Sequence, residues 1–347
     1  MEILGSQYSE RIDELCAHLK RLSGTDVAFD DRIETDEIFG TPAGLYRSDE
    51  RHPRISLPTG APEQIVAHEL LHGILCFHGY PGFSVAMRQR WPYPTDVARE
   101  ICHCAVHIII DKLLGQIRYD VVGTKTQNAA ERLENLRSIV PTLDNVSSKH
   151  WWSIRVACEI TYHRAQPSLN ESVARDFATE SAGLLPISVE LASELHRHCT
   201  AMNSQDRASV KVAIRNMLRT VEGVFGQHPH CQDLCKKVVI TPVYVNKIQL
   251  CSRAEKLLHF EEARGQDRQD RRDKPFLIIG HRQTGETLTV TDYLSAGELR
   301  EERINLKTYL RKPLRAMLDH CRIKYFQTDS RRSQNLGPLL PEGLCSS

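Results

Sequence analysis

No stretch of this sequence approaches the roughly 18 to 20 uncharged apolar residues that a membrane span needs. The longest apolar run, Ile101 to Leu114, is interrupted by two histidines, an aspartate and a lysine. The first ten residues lack the basic start and apolar core of a secretory signal, so the chain is expected in the cytoplasm with no membrane partner. Charge of one sign is missing as well. Forty-five Lys and Arg face 44 Asp and Glu, for a formal net charge of +1, and that balance gives no support to nucleic acid as a partner. The paired Cys-x-x-Cys of a structural zinc knuckle does not occur. Eleven cysteines, an odd number scattered through predicted helices, suit reduced thiols better than a disulfide framework. No internal repeat is visible. What remains is a chain of 347 residues, long enough to bury a full core in two or three domains.

Residues 9 to 22 read as an amphipathic helix with Ile12, Leu15, Cys16, Leu19 and Leu22 on one face. Short extended segments follow at 27–29, 44–48 and 54–57, the last two forming a hairpin. Pro62 and Glu63 start a second helix that runs to about Phe77 and stops near Gly79. A Gly, Pro and aromatic loop, Tyr80 to Pro94, leads to a third helix ending near Gly115. From Thr126 to Gly226 the pattern is helical, broken at Pro141, Pro167, Pro186 and near Ser204. Beyond lie a strand within Lys236 to Val245, a charged linker from Arg264 to Lys274, a hairpin around Gly285, a helix from Ser295 to Cys321 and a strand from Ile323 to Gln327. The fold class expected is α+β and mostly helical. The expected domains are 1–122, around the second and third helices; a helical domain, 123–235; a small α+β region, 236–330; and a disordered tail, 331–347.

The chemistry is concentrated in His68, Glu69, Leu70, Leu71 and His72. Histidines four apart on a helix stand one turn apart on one face, close enough for both to bind one Zn²⁺ at about 2.0–2.1 Å. Glu69, on the adjacent side of that face, can take a proton from a water on the metal and return it to a leaving amine. With 16 histidines in the chain, a chance H-E-x-x-H arises in about one such sequence in twenty. The flanking runs Ile65-Val66-Ala67 and Ile74-Leu75-Cys76-Phe77 make the bland alternative, an ordinary half-exposed helix, costly: three ionisable groups would interrupt an apolar stripe for no gain.

Catalytic zinc usually has three protein ligands and one open position. The third helix offers a polar stripe of Glu100, His103, His107 and Asp111 on an otherwise apolar helix. His103 is the leading candidate, followed by Glu100 and then by His107, which could instead stabilise an oxyanion. His78 is a fourth candidate by its spacing from His72. Asp111 or Asp96 could orient a ligand ring from behind.

The run Ile65 to His72, followed by Cys76 to Pro81 and a third-ligand helix some thirty residues on, resembles the cytosolic bacterial metallopeptidases of the IrrE/ImmA type. The resemblance covers about residues 1–122. It implies a small zincin-like domain, one catalytic zinc, Glu69 as general base and cleavage of a specific, often regulatory, protein. The expected function is therefore a zinc metallopeptidase acting on a protein or peptide that adds beside the edge strand near residues 44–57, with the loop 80–94 as a wall or lid. The competing expectation is a non-catalytic metal-binding regulator or scaffold on the same fold. A second metal at His228, His230, Cys231 and Cys235 is the weaker reading of that cluster; ordinary thiols and surface histidines are the stronger.

Overall fold

The computed structural model describes residues 2–31, 45–49, 52–84, 92–143, 146–165, 171–228, 231, 233–266, 273–292, 296–330 and 336–345. Within them the chain is mostly helical with several small sheets, an α+β composition.

Helix α1 (Glu10–Ser23) buries Ile12, Leu15, Cys16 and Leu19, and Gly24 closes it in the left-handed conformation that glycine adopts without strain. Helix α2 (Glu63–Phe77) is apolar nearly all round. Val66, Ala67, Leu70, Leu71, Ile74 and Leu75 are all buried, because α1 packs on one flank and α3 (Pro92–Gln116) on another. Helices α4 (Val121–Ile139), α5 (Val146–Ala165), α6 (Glu171–Leu184), α7 (Pro186–Thr200) and α8 (Arg207–Phe225) complete a helical body. In it α5 packs against both α3 and α7. Pro186 stands in the first turn of α7, where its missing N–H is no loss.

The N-terminus of α2 is tied to its neighbours through one carboxylate. Glu63 accepts hydrogen bonds from the Ser9 amide (3.0 Å) and hydroxyl (2.6 Å) and from the Tyr119 hydroxyl (2.6 Å). Partial burial works against its charge, but these three bonds and the Arg11 cation hold its carboxyl below the usual carboxylate range. Glu63→Ala is expected to destabilise the protein by about 2 kcal/mol, discounted for partial exposure. A depressed carboxyl stabilises the fold above the unfolded pKa of about 4.3 and loses that contribution as pH falls through the folded value. Urea titrations of wild type and variant should therefore converge towards acid pH.

Strand β1 (Glu2–Ile3) pairs with β2 (Ser6–Gln7). Strands β3 (Ala28–Asp30), β4 (Leu45–Asp49) and β5 (His52–Ser56) form a sheet of order β3-β5-β4. Here β3 is parallel and β4 antiparallel to β5, which leaves β4 at an edge. Strand β6 (Gly82–Ser84) follows α2 directly and pairs with the distant β7 (Val239–Thr241), while β8 (Val243–Val245) runs parallel to β12 (Tyr325–Gln327). Short helices α9 (Leu234–Lys237) and α10 (Lys247–Cys251) flank these strands. Strands β9 (Leu258–Gln266), β10 (Asp273–His281) and β11 (Thr287–Asp292) make an antiparallel meander, followed by α11 (Ala296–Leu310) and α12 (Leu314–His320).

Two apolar cores result. The larger joins residues from Ile3 to Ile240, with Leu340 and Leu344, without a break between α2 and α3 and the helical segment after them. The smaller, from Val243 to Ile323, joins β8, β10 and β11 to α11 and α12. They are fastened by a buried ion pair between Lys211 on α8 and Glu286 in the turn between β10 and β11. Lys211 also donates to the Pro242 carbonyl (2.7 Å).

Three expectations are corrected here. The single helix from Ser295 to Cys321 is two, because Pro313 cannot donate a backbone hydrogen bond and separates α11 from α12. The charged linker from Arg264 to Lys274 contains strand ends: Arg264 pairs with Pro275, and Gln266 with Asp273, so ladder hydrogen bonds override charge density there. Residues 267–272 lie outside the described residues. The tail expected to be disordered is anchored, since Leu340 and Leu344 are buried in the larger core and the helical turn Glu342–Cys345 packs on α1. Residues 331–335 and 346–347 lie outside the described residues.

Candidate metal centre

Helix α2 presents His68 and His72 one turn apart, with ring centroids 4.9 Å apart and planes at 75°. The third imidazole comes from α3. His107 lies 4.8 Å from the His68 ring and 5.1 Å from the His72 ring, edge-on to both. Candidate donor atoms of the three side chains all fall within 4.8 Å of one another. His72 Nε2 and His107 Nε2 are 3.2 Å apart. Two nitrogens each about 2.05 Å from one tetrahedral ion stand about 3.3 Å apart, so the His72–His107 pair has the spacing of two ligands on one zinc ion. A single N–H···N hydrogen bond has a similar length. Such a pair has no use for a third imidazole edge-on to both rings, whereas a metal does.

The leading third-ligand expectation is His103, whereas the structure brings His107 beside His68 and His72. At about 100° per residue, and taking Glu100 as zero, His103 lies near −60°, His107 near −20° and Asp111 near +20°. His103 is therefore central to the stripe in sequence but at its edge in angle, and His107 bisects it. His103 stacks on His107 (5.0 Å, 17°) and lines the open cleft beside the cluster. Glu100 turns the other way, towards Arg155 of α5, with Nε–Oε2 at 4.0 Å. Asp111 is buried and accepts a hydrogen bond from the Tyr162 hydroxyl, whose ring centroid is 6.5 Å from that of His107. Burial first, and then the Asp111 carboxylate, push the Tyr162 phenol well above its ordinary value and keep it protonated. Asp96 pairs with Arg99 (3.3 Å).

His78 is not part of the cluster. It caps the C-terminus of α2, stands 6.3 Å from His18, and lines a separate cavity with Lys112 and Arg207. Burial, then the His18 and Arg207 charges, push its imidazole down to about 4. Among the described residues no second metal cluster occurs. Of the residues considered for one, His228 stands edge-on to His150 with ring centroids 4.8 Å apart, Cys231 is buried, and the Cys235 amide donates to Glu222 (3.2 Å); His230 lies outside the described residues.

Glu69 is 5% exposed, while His68, His72 and His107 are half-buried. Of the cluster, His72 lines a cleft of about 1730 Å³, beside His103 and Val106 on one wall. Its other wall comes from β12 and the residues around it, including Arg322, Lys324 and Phe326. Sequence reasoning missed that second wall. The wall is held at the end of α2. Gly79 has φ +77°, and a Cβ there would collide with the Phe326 ring. The Tyr244 hydroxyl donates to the Gly79 carbonyl (2.7 Å), and Arg207 lies over the Phe326 ring (4.0 Å) while donating to the His78 carbonyl (2.8 Å). The loop expected as a lid, Tyr80 to Pro94, lies partly outside the described residues, at 85–91.

No family model, curated protein or solved structure matches the chain. The candidate metal centre thus stands on its own geometry.

Proposed function

We propose that the protein is a zinc-dependent hydrolase with a zincin-like centre, most simply a peptidase acting on a specific polypeptide. The observation that carries this reading is the convergence of His68, His72 and His107 on one point beside an open cleft. Three neutral imidazoles with room for a further ligand are the donor set of a catalytic rather than a structural zinc. A zinc ion held by His68, His72 and His107 would supply a Lewis acid for a substrate carbonyl and a water acidified to a pKa of about 7. Glu69, adjacent to His68 on α2, is the general base and returns the proton to the leaving amine. The rings of His103 and His72 border the space the substrate would enter. Strand β4 offers the edge beside which an extended chain would pair, reading the backbone through hydrogen bonds and alternate side chains through the cleft.

The burial of Glu69 favours one other reading, a metal-binding regulator that keeps the centre without turning over. One variant separates the two. Glu69→Gln is expected to keep about one zinc per chain and to lose at least about a thousandfold in cleavage of a casein or a synthetic peptide-library substrate. Retained metal with unchanged activity would remove Glu69 from the chemistry. Wild-type protein that binds zinc and cleaves nothing would leave the regulator standing.

A further inference from the structure

The cavity that His78 lines, apart from the metal cleft, has a volume of about 590 Å³, within the range of small-molecule sites. Ile109 and Leu113 of α3, with Leu339 and Leu340 of the C-terminal segment, give it an apolar lining. Lys112 and Arg207 add two cations, and among the described lining residues the single carboxylate is Asp206. That carboxylate is engaged elsewhere, because its Oδ1 accepts from the Ala208 amide (2.9 Å) and caps α8. Neither cation has an ion pair among the described residues. Lys112 Nζ meets the Ser204 hydroxyl at 3.4 Å. Arg207 donates one N–H to the His78 carbonyl and lies over the Phe326 ring, which leaves other donors of its five-donor fork free.

A second, independent observation points to the same cavity. His78 is 5% exposed, and its Nε2 is buried with no hydrogen-bond partner. Nearly all buried polar atoms have one, and a ligand seated against the ring would supply it. Held neutral by its burial, the imidazole can donate to an anion without first taking up a proton. Two uncompensated cations and an unpartnered ring beside an apolar lining complement a molecule with an apolar body and one anionic group. The cavity also shares a wall with the metal cleft. Tyr80 and Leu336 line both, and Arg207 of the cavity rests on Phe326 of the cleft at 4.0 Å.

We propose that this cavity is an effector site for a small organic anion, an apolar body carrying one phosphate or carboxylate group. Lys112 and Arg207 hold the anionic group beside His78, and the bound molecule braces the cleft wall through Arg207 and Phe326. None of His68, His72 and His107 lines the cavity, so the site stands apart from the hydrolase reading. The test uses the full-length protein, zinc-free and zinc-loaded, and four naphthalene probes of similar size. Naphthyl phosphate and naphthoate are the anions; naphthalenemethanol and naphthylmethylamine are the neutral and cationic controls. Calorimetric titration should show at least one anion binding about tenfold or more tighter than both controls at low salt, with the preference shrinking at high salt. Which anion binds better tells phosphate from carboxylate as the recognised group. Lys112→Glu, at an exposed position, should weaken that anion at least about tenfold with the melting temperature unchanged. His78→Phe should weaken it about threefold or more while the melting temperature holds or rises, because a buried nitrogen without a partner is removed. Hydrogen exchange at residues 325–327 should slow when the anion binds. Equal affinity for all four probes, or an affinity unmoved by both substitutions, would overturn the site. Anion binding lost on zinc removal would do the same, by placing the anion at the metal centre. Exchange at 325–327 unchanged by a bound anion would overturn the effector role. Protein that takes up no zinc yet binds the anion would sink the hydrolase reading and spare the site.

Discussion

Replacing His107 with alanine will cost the protein about a thousandfold or more in zinc affinity, whereas His103→Ala will change it by about a hundredfold at most. The asymmetry follows from the two side chains' angles on α3. His107 points at His68 and His72, with one nitrogen 3.2 Å from His72 Nε2. His103 stacks behind it on the cleft side. Removing one of three ligands leaves an ion held by two imidazoles and water, which loses most of the advantage of a preformed site. Removing a ring stacked on a ligand disturbs orientation, and outer partners of that kind are worth about ten- to a hundredfold at most. Competition titrations with a chromophoric zinc chelator on the folded variants read both numbers. A larger loss for His103→Ala than for His107→Ala would reverse the assignment. Tyr162→Phe offers a finer check, because it removes the bond to Asp111 and leaves the His107 ring in place.

The second large effect concerns stability. Glu286→Ala is expected to destabilise the protein by about 3–5 kcal/mol, because it strands the ammonium of Lys211 in a dry interface. Only 7% of the Lys211 side chain and 12% of the Glu286 side chain are exposed. Burial already pushes the lysine below its ordinary pKa, and the glutamate charge works against that shift. Arg215, 4.0 Å from the same carboxylate, would be left with it. Lys211→Met combined with Glu286→Leu removes both charges and should recover most of the loss. Denaturant unfolding followed by circular dichroism measures the difference. Equal stability of Glu286→Ala and wild type would mean that the ion pair does not hold the two cores together.

Much of the histidine cluster was legible in the sequence because its first part is local. His68, Glu69 and His72 lie on one turn of one helix, and their spacing alone puts them on one face. The third histidine of the cluster needed a rotation angle as well as a spacing. The stripe Glu100, His103, His107 and Asp111 was visible, but its members diverge by enough to reach three neighbours: the cleft, α2 and α5. Which one meets α2 depends on how the helices cross, although the angular midpoint of the stripe already pointed to His107. The far wall of the cleft was not legible. Gly79 meets Phe326 and Tyr244 across long stretches of chain, and nothing local in those residues signals a partner so distant. Strand β9 was hidden for a related reason. His259 to Gln266 is too charged to show a clean alternation and becomes a strand through its pairing with β10. Leu340 and Leu344 sit among prolines and glycines, a composition that reads as tail until the exposed flank of α1 is there to receive them.

The burial of those two leucines bears on how the protein is made. The apolar cluster that supports α1 and α2 is filled in part by side chains synthesised more than 310 residues after the last turn of α1. A nascent chain therefore carries a gap on the flank of its first helix until residue 344 has emerged, and any product cut short before Leu340 keeps that gap open. Such fragments should be recognised by chaperones and proteases through the uncovered side of α1, whatever the state of the metal ligands.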